Sequence, residues 1–365
     1  MPRTGKFPLA LRTASALAVG ALTLAVTGAC AHATAGTTNN AATASGTSSG
    51  TPAAELRLGY FANVTHSTGI AEVANGTLAK DLGSTKLDTT IYSAGPTEMT
   101  ALLGGQLDAA YVGPSSALSA WTKSDKQGLT IIAGAETGGA ELVVDSDITS
   151  AAQLKGKTIA DPQLGNTQDV ALRYWLKQQG YSTTLQGGGD VAVQPEANAT
   201  TLTLFKEGKI QGAWLPEPWA SRLVIEGKGH VLVDEKSLWP AGQFATTNLV
   251  VSTSYLQAHP GTVAELLDAQ IATNTWILAN PTAAQTLISG AIKKLTGSTI
   301  TTAEIQRAWT EETVTNDPLV SSLQTSLSHA VSDGLLKPTS LTGIFDLTPL
   351  NQELAKAGES AVPTS

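Results

Sequence analysis

Apolar and polar residues alternate along the chain in two ways from about residue 55 onward. Short apolar segments bounded by polar loops predict β-strands, and longer segments with apolar residues at helical spacing predict α-helices. The predicted strands cover residues 56–60, 87–92, 108–112, 129–133, 141–144, 158–160, 191–193 and 212–215. The predicted helices cover residues 70–82, 169–179, 263–278, 282–294, 302–312 and 318–333, and shorter ones open near residues 95 and 114. This order predicts an α/β fold whose last third is helical.

Three loops share the same local order of strand, small residues and helix, at Gly95, Gly113 and Gly165. In open α/β sheets, ligands bind beyond the carboxyl ends of the strands. Helix N-termini at that edge present unpaired backbone N–H groups and a positive dipole end, which suit a small anion. The alternative is that the three loops are ordinary capped turns. If the three loops are more than capped turns, they predict a cleft that is lined by neutral hydrogen-bond donors.

The start of the chain has the character of an export signal. Arg3, Lys6 and Arg12 precede an apolar stretch at 14–27, which is shorter than the roughly 20 residues that a membrane-spanning helix needs. A basic start followed by a short apolar region predicts a signal peptide over residues 1–29. The mature protein is therefore expected outside the cytoplasmic membrane.

Cys30 directly follows the small residues that end this region. The arrangement resembles a bacterial lipoprotein signal, in which the cysteine is lipidated and becomes the new N-terminus, although Thr27 stands where leucine is usual. The alternative is cleavage near residue 33, which would remove Cys30. Residues 30–54 are nearly all Ala, Thr, Ser, Gly and Asn, which predicts a flexible tether.

The composition excludes several classes of protein. The 365 residues include 22 basic and 30 acidic side chains, a net charge of −8, which disfavours non-specific nucleic-acid binding. A single cysteine excludes a disulfide framework and any cysteine-rich metal site. The five histidines are widely spaced, and neither HExxH nor GxSxG is present. No metal, no cofactor and no enzymatic activity are therefore expected.

Six segments resemble, in the family's order, the extracytoplasmic solute-binding proteins of ABC importers in the nitrate/sulfonate/taurine group. They lie at residues 58–61 with 63–66, 94–98, 107–114, 133–135 with 138–140, 162–169 and 214–219. The resemblance runs from about residue 55 to about residue 350, and it is greatest to the aliphatic-sulfonate binders.

This resemblance implies a type II periplasmic-binding-protein fold, in which two α/β lobes joined by two crossover strands enclose a ligand cleft. On this basis lobe one is expected at residues 55–143 plus 248–350, and lobe two at residues 144–247. The crossovers are expected at 142–144 and 246–250, and residues 351–365 are expected to be a C-terminal tail.

The same motifs imply the residues that contact ligand. They are Asn63, His66, Gly95, Ser115, Ser116, Gly138, Gly139, Asn166, Thr167, Gln168, Glu217 and Trp219. Asn166, Thr167 and Gln168 place three side chains with donor groups at a helix start. His66 could donate a hydrogen bond when its imidazole is protonated, or through one ring nitrogen when it is neutral. Glu217 either pairs with the ammonium of a zwitterion or forms a structural ion pair, for instance with Arg222.

The function implied is capture of a small organic anion or zwitterion by lobe closure, followed by delivery to a membrane permease and its ATPase. An aliphatic sulfonate is the expected solute; taurine, nitrate, bicarbonate and thiamine-precursor pyrimidines are alternatives. The chain is expected to act as a lipid-anchored monomer. Fungal pyrimidine synthases of thiamine biosynthesis resemble the same group, but their cysteine-rich motif is absent here. A role in sensing rather than transport also stays open.

Overall fold

The computed structural model describes residues 52–364, which belong to one compact unit. The predicted signal peptide, Cys30 and all but the last residues of the predicted tether lie outside the described residues. No helix within 52–364 combines the length and apolar character that crossing a bilayer requires.

The described residues form two β-sheets surrounded by helices. The strands are β1 (Glu55–Phe61), β2 (Lys86–Tyr92), β3 (Ala109–Val112), β4 (Leu129–Gly138), β5 (Ala140–Val144), β6 (Thr158–Asp161), β7 (Ala192–Pro195), β8 (Gly212–Pro216), β9 (His230–Asp234), β10 (Ala245–Ser252) and β11 (Glu312–Val314). The helices are α1 (Ser67–Ala74), α2 (Thr77–Asp81), α3 (Gly95–Leu103), α4 (Pro114–Lys123), α5 (Thr167–Gln178), α6 (Asn198–Lys206), α7 (Trp219–Ile225), α8 (Thr253–Ala258), α9 (Pro260–Ala279), α10 (Pro281–Thr296), α11 (Thr302–Glu311), α12 (Val320–Ser332) and α13 (Thr348–Ala357). The alternation predicted from the sequence is thereby confirmed.

Each sheet combines parallel strands with strands that return in the opposite direction. The first sheet has the order β11-β4-β10-β3-β1-β2, with β1 parallel to β2 and β3 and with β10 antiparallel to β3 and β4. The second has the order β7-β6-β8-β5-β9, with β6 parallel to β7 and β8. All residues of β3 and β8 are buried, as expected of central strands covered by helices on both faces. The two sheets with their helices are the two α/β lobes of the predicted fold.

The chain passes from the first sheet to the second at Gly139, between β4 and β5. Gly138 and Gly139 have φ angles of +83° and +75°, a region in which side chains are disfavoured. A Cβ on Gly138 would lie 2.4 Å from the carbonyl oxygen of Glu311. Because β5 pairs only within the second sheet and β10 only within the first, sheet membership changes at Gly139 and between β9 and β10. The lobe boundaries near residues 143 and 247 stay a prediction.

Three sequence expectations need correction. The helix predicted over residues 70–82 is two helices, α1 and α2, because Gly76 adopts a φ of +79° between them. The predicted tether ends before residue 54, since Ala53 is buried and its N–H donates to Thr262 Oγ1 at 3.0 Å. Residues 351–357 of the predicted tail belong to α13, whose Leu350 and Leu354 are buried.

Candidate functional site

A small pocket lies between the two lobes, where loops from both sheets meet. Its walls are Phe61, Asn63, Thr65, His66, Ser93, Ala94, Gly95, Gly113, Ser116, Pro162, Asn166, Thr167, Gln168, Asn198, Pro216 and Thr246. The cavity measures about 20 Å³, little more than the space of one water molecule. The lobes are therefore close together around it.

Four helices begin at this pocket. Gly95 is the first residue of α3, Gly113 precedes the first residue of α4, Thr167 begins α5 and Asn198 begins α6. The first turn of a helix carries backbone N–H groups without intrahelical partners, and the helix dipole places partial positive charge there. Four such ends around one small space make it favourable for a negatively charged group.

The side chains of the pocket supply neutral polar groups rather than charges. No Asp, Glu, Lys or Arg occurs among its lining residues. Burial lowers the pKa of His66 to about 3, so its imidazole is neutral at physiological pH. The His66 ring stacks on Phe61 with 4.3 Å between ring centroids. The Oδ1 atom of Asn198 is buried without a hydrogen-bond partner among the described residues, so the pocket keeps an unused polar group.

Glycines at two helix starts allow close approach of backbone and side chains. A Cβ on Gly113 would lie 2.4 Å from Thr167 Oγ1, which belongs to the other lobe. The backbone N–H of Ser115 donates to the same Thr167 hydroxyl at 3.4 Å. A Cβ on Gly95 would lie 2.4 Å from Ser116 Oγ. The starts of α4 and α5 therefore meet directly across the junction of the lobes.

Asn166 and Asp169 have structural partners at the start of α5. Asn166 is the N-cap, and its Oδ1 accepts the backbone N–H of Asp169 at 2.8 Å. The Asp169 carboxylate pairs with Arg173 at 2.6 Å, and both side chains are buried. These contacts fix the first turn of α5, which carries Thr167 and Gln168 to the pocket.

Trp219 lies outside the lining of the pocket but holds one of its residues. The Trp219 indole N–H donates to Asn63 Oδ1 at 2.9 Å, and Arg222 lies 4.7 Å above the same ring. Asn63 precedes a 3₁₀ turn at Val64–His66 that carries further lining residues. Trp219 is therefore a positioning residue in this structure.

Glu217 also lies outside the lining, and its carboxylate is fully buried beside Arg307 of α11. Arg307 Nη1 donates to Glu217 Oε1 at 2.8 Å, and Arg307 Nη2 donates to both carboxylate oxygens of Glu141 at 2.9 and 2.6 Å. Burial, followed by the charge of Glu141, raises the pKa of Glu217 to about 8. Glu217 therefore forms a structural ion pair, but the partner suggested from the sequence, Arg222, is wrong. Arg222 pairs with Glu226 at 2.7 Å instead.

The structure brings together seven of the residues expected at the site. Asn63, His66, Gly95, Ser116, Asn166, Thr167 and Gln168 line the pocket. Ser115 lines a neighbouring cavity instead. Gly138, Gly139, Glu217 and Trp219 are not among the lining residues.

Several lining residues were not expected from the sequence. They are Phe61, Thr65, Ser93, Ala94, Pro162, Asn198, Pro216 and Thr246, whereas Gly113 belongs to one of the three loops expected at the cleft. Asn198 begins α6 shortly after β7, but Ala197 before it has no capping side chain that would mark the helix start in the sequence. Thr246 lies near the start of β10, and only the tertiary fold brings it to the pocket. Its hydroxyl donates to the Gly138 carbonyl.

Comparison with known proteins gives a family match and a fold match. The model of the NMT1-like family matches residues 49–291. A candidate binding protein of Brucella abortus (strain 2308) is 26% identical over 163 residues, which are 44% of this chain and 48% of that protein. The match therefore spans about half the length of this curated relative.

Two solved structures share the fold at low sequence identity. The alkanesulfonate-binding protein SsuA from Xanthomonas axonopodis pv. citri, bound to MOPS, has a TM-score of 0.64 and 19% identity, covering 78% of this chain and 95% of that one. The periplasmic nitrate-binding protein NrtA from Synechocystis PCC 6803 has a TM-score of 0.69 and 17% identity, covering 86% and 92%. The predicted resemblance to the nitrate/sulfonate/taurine group and its type II periplasmic-binding fold are thus confirmed.

Proposed function

Because the chain belongs to the NMT1-like family, we propose that it is the extracytoplasmic solute-binding component of an ABC importer. The observation that carries the proposal is the pocket between the lobes, on which four helix N-termini and neutral polar side chains converge. Such a site binds a small anion through fixed dipoles and hydrogen bonds, and it needs no covalent chemistry.

The preferred solute is an aliphatic sulfonate. A sulfonate carries one negative charge spread over three oxygens, each of which accepts hydrogen bonds from N–H and O–H groups. The lining offers hydroxyls, amides, a neutral imidazole and backbone N–H groups but no Lys or Arg, which disfavours a phosphate monoester with its higher charge. Nitrate, bicarbonate and a thiamine-precursor pyrimidine are the alternatives that the experiment below separates.

The placement of Glu217 weakens the case for taurine. Its carboxylate was the group expected to pair with an ammonium, but it contacts Arg307 and lies outside the pocket lining. With no acidic side chain among the lining residues, a zwitterion finds no counter-ion for its positive end.

Transport requires that the lobes part and close again. The lobes touch at Ser115 and Thr167 and leave little more than the space of one water, so a solute can enter only after the lobes part. In this proposal the solute then favours a closed arrangement because it contacts both lobes. In this proposal a permease and its ATPase recognise the closed shape. A lipid on Cys30 would hold the monomer at the outer face of the cytoplasmic membrane.

Thermal unfolding of the protein with a panel of solutes tests the proposal. The panel holds alkanesulfonates, taurine, nitrate, bicarbonate and a pyrimidine precursor. A solute at about 100 times its Kd should stabilise the fold by roughly 2.7 kcal/mol, which raises Tm by several degrees. We expect the alkanesulfonates to give this shift.

A variant at the pocket locates the binding site. Thr167→Ala removes a hydroxyl at the start of α5, so we expect affinity for the stabilising solute to fall about tenfold. Thr325→Ala, which removes a hydroxyl bonded only within α12, is the matched control and should bind as the unmodified protein does. Absence of any shift across the panel would refute the proposed solute classes, and unchanged binding by Thr167→Ala would place the site elsewhere.

A further inference from the structure

A second cavity adjoins the pocket and extends between the lobes. It measures about 310 Å³, within the range of cavities that hold organic ligands. The first lobe contributes α3, α4 and the segment after α12, and the second lobe contributes the start of α5 and the loop that carries Leu185. Its lining is largely apolar and includes Met99, Leu103, Leu164, Val170 and Leu336.

Three leucines in this cavity are unusually exposed for their size. Leu103, Leu164 and Leu185 are 40%, 39% and 40% exposed. A single exposed leucine is common on protein surfaces, but several that converge on one concavity indicate an apolar occupant. Leu103 comes from the first lobe and the other two from the second, so an occupant would contact both lobes.

The cavity lies directly beside the polar pocket. Ser116 lines both spaces, Pro96 of the cavity follows Gly95 of the pocket, and Gly165 of the cavity precedes Asn166 of the pocket. At the junction, the buried Ser115 hydroxyl lines the cavity and has no hydrogen-bond partner among the described residues. One molecule with a polar group in the pocket could therefore extend directly into the cavity.

We propose that this cavity binds the apolar tail of the same solute whose polar group occupies the pocket. The proposal rests on the function proposed above and narrows it to solutes with a hydrocarbon chain or ring of several carbons. Lys123 is the one charged residue in the cavity lining, and no acidic residue accompanies it. A tail that ends in an ammonium group therefore has no partner there, whereas an uncharged tail buries its carbons against the leucines.

Calorimetric titration with methanesulfonate, butanesulfonate and octanesulfonate tests the proposal. Each methylene buried in the cavity should raise affinity about threefold to fourfold, the factor that corresponds to about 0.8 kcal/mol per CH₂. We expect affinity to rise along the series until the tail fills the cavity.

Substitutions of cavity-lining leucines test whether the cavity causes the rise in affinity with chain length. Leu103→Ala and Leu185→Ala should lower the ratio of octanesulfonate to methanesulfonate affinity on the order of tenfold. Leu295→Ala is the control, since Leu295 is 42% exposed and is not among the cavity residues. Equal affinity for all three sulfonates, or an unchanged ratio in both cavity variants, would overturn the apolar subsite and leave the proposed function standing. Absence of binding by every sulfonate would overturn both.

Discussion

Glu217 and Glu141 share one arginine in a buried cluster at the junction of the lobes. Arg307 gives two hydrogen bonds to Glu141 and one to Glu217, whose second oxygen accepts the Ser221 backbone N–H at 3.0 Å. One positive charge balances one carboxylate, and we assign the negative charge to Glu141, because both of its oxygens accept hydrogen bonds from the guanidinium. Burial raises the pKa of Glu217 to about 8, so it holds a proton at neutral pH.

This proton makes stability depend on pH in a defined direction. Between its ordinary value of 4.5 and about 8, Glu217 binds more proton in the folded than in the unfolded protein. The protonated Glu217 side chain therefore contributes its full stabilisation below pH 4.5, the pKa in the unfolded protein. This stabilisation is lost as the pH rises through about 8, the pKa in the folded protein. From about pH 5 to about pH 8 the loss amounts to roughly 3 kcal/mol, since a tenfold change in proton affinity corresponds to about 1.4 kcal/mol.

Replacement of Glu217 by glutamine removes this titration while keeping the shape of the side chain. Glutamine has one acceptor oxygen for the two donors from Arg307 and Ser221, so we expect Glu217→Gln to be less stable at low pH. Its stability should then fall less steeply with pH. Urea denaturation at several pH values measures both curves, and the raised pKa of Glu136, about 8, contributes to both and cancels in their difference. Parallel curves for the two proteins would refute the reasoning.

Two further substitutions test the junction of the lobes. Arg307→Met leaves the buried Glu141 without its cation, so we expect a loss of about 3–5 kcal/mol in urea denaturation near neutral pH, and a loss below about 1 kcal/mol would contradict the assigned pair. Gly113→Ala places a Cβ 2.4 Å from Thr167 Oγ1 and should weaken binding of the stabilising solute by keeping the lobes apart. Gly290→Ala, with no heavy atom within 4 Å of its Cβ, is the control in the same titration, and equal affinities in the two variants would argue against closure at Gly113.

Local signals in the sequence account for most of the fold and for the helix-start residues of the site. Pro96 and Pro114 stand at the first turns of α3 and α4, where proline is favoured, and small residues precede them. The hydroxyl side chains of Ser116 and Thr167 lie just after such helix-start signals. Their meeting in one pocket could be anticipated because parallel strands bring their carboxyl ends to the same edge of a sheet.

Residues that reach the site through long-range contacts had no such signal. Asn198 begins α6 after Ala197, which gives no capping side chain to mark the helix start. Thr246 lies within β10, in a segment that was expected only as a crossover between the lobes. The partner of Glu217 lies 90 residues away in α11, and nothing in the local pattern distinguishes Arg307 from the nearer Arg222.

The segment around Glu217 affects the site through its backbone rather than its carboxylate. The Glu217 carbonyl accepts the N–H groups of Val64 and Thr65 at 3.1 and 3.4 Å, and its own N–H donates to the Gly139 carbonyl at 2.9 Å. These bonds tie the turn that carries Thr65 and His66 to the second lobe and to the crossover at the same point. Since Arg307 holds the Glu217 side chain from α11, one residue joins the crossover, the pocket turn and the charged cluster. Its position in the motif is thus explained by attachment between the lobes, and Pro216 is the residue that this motif contributes to the pocket wall.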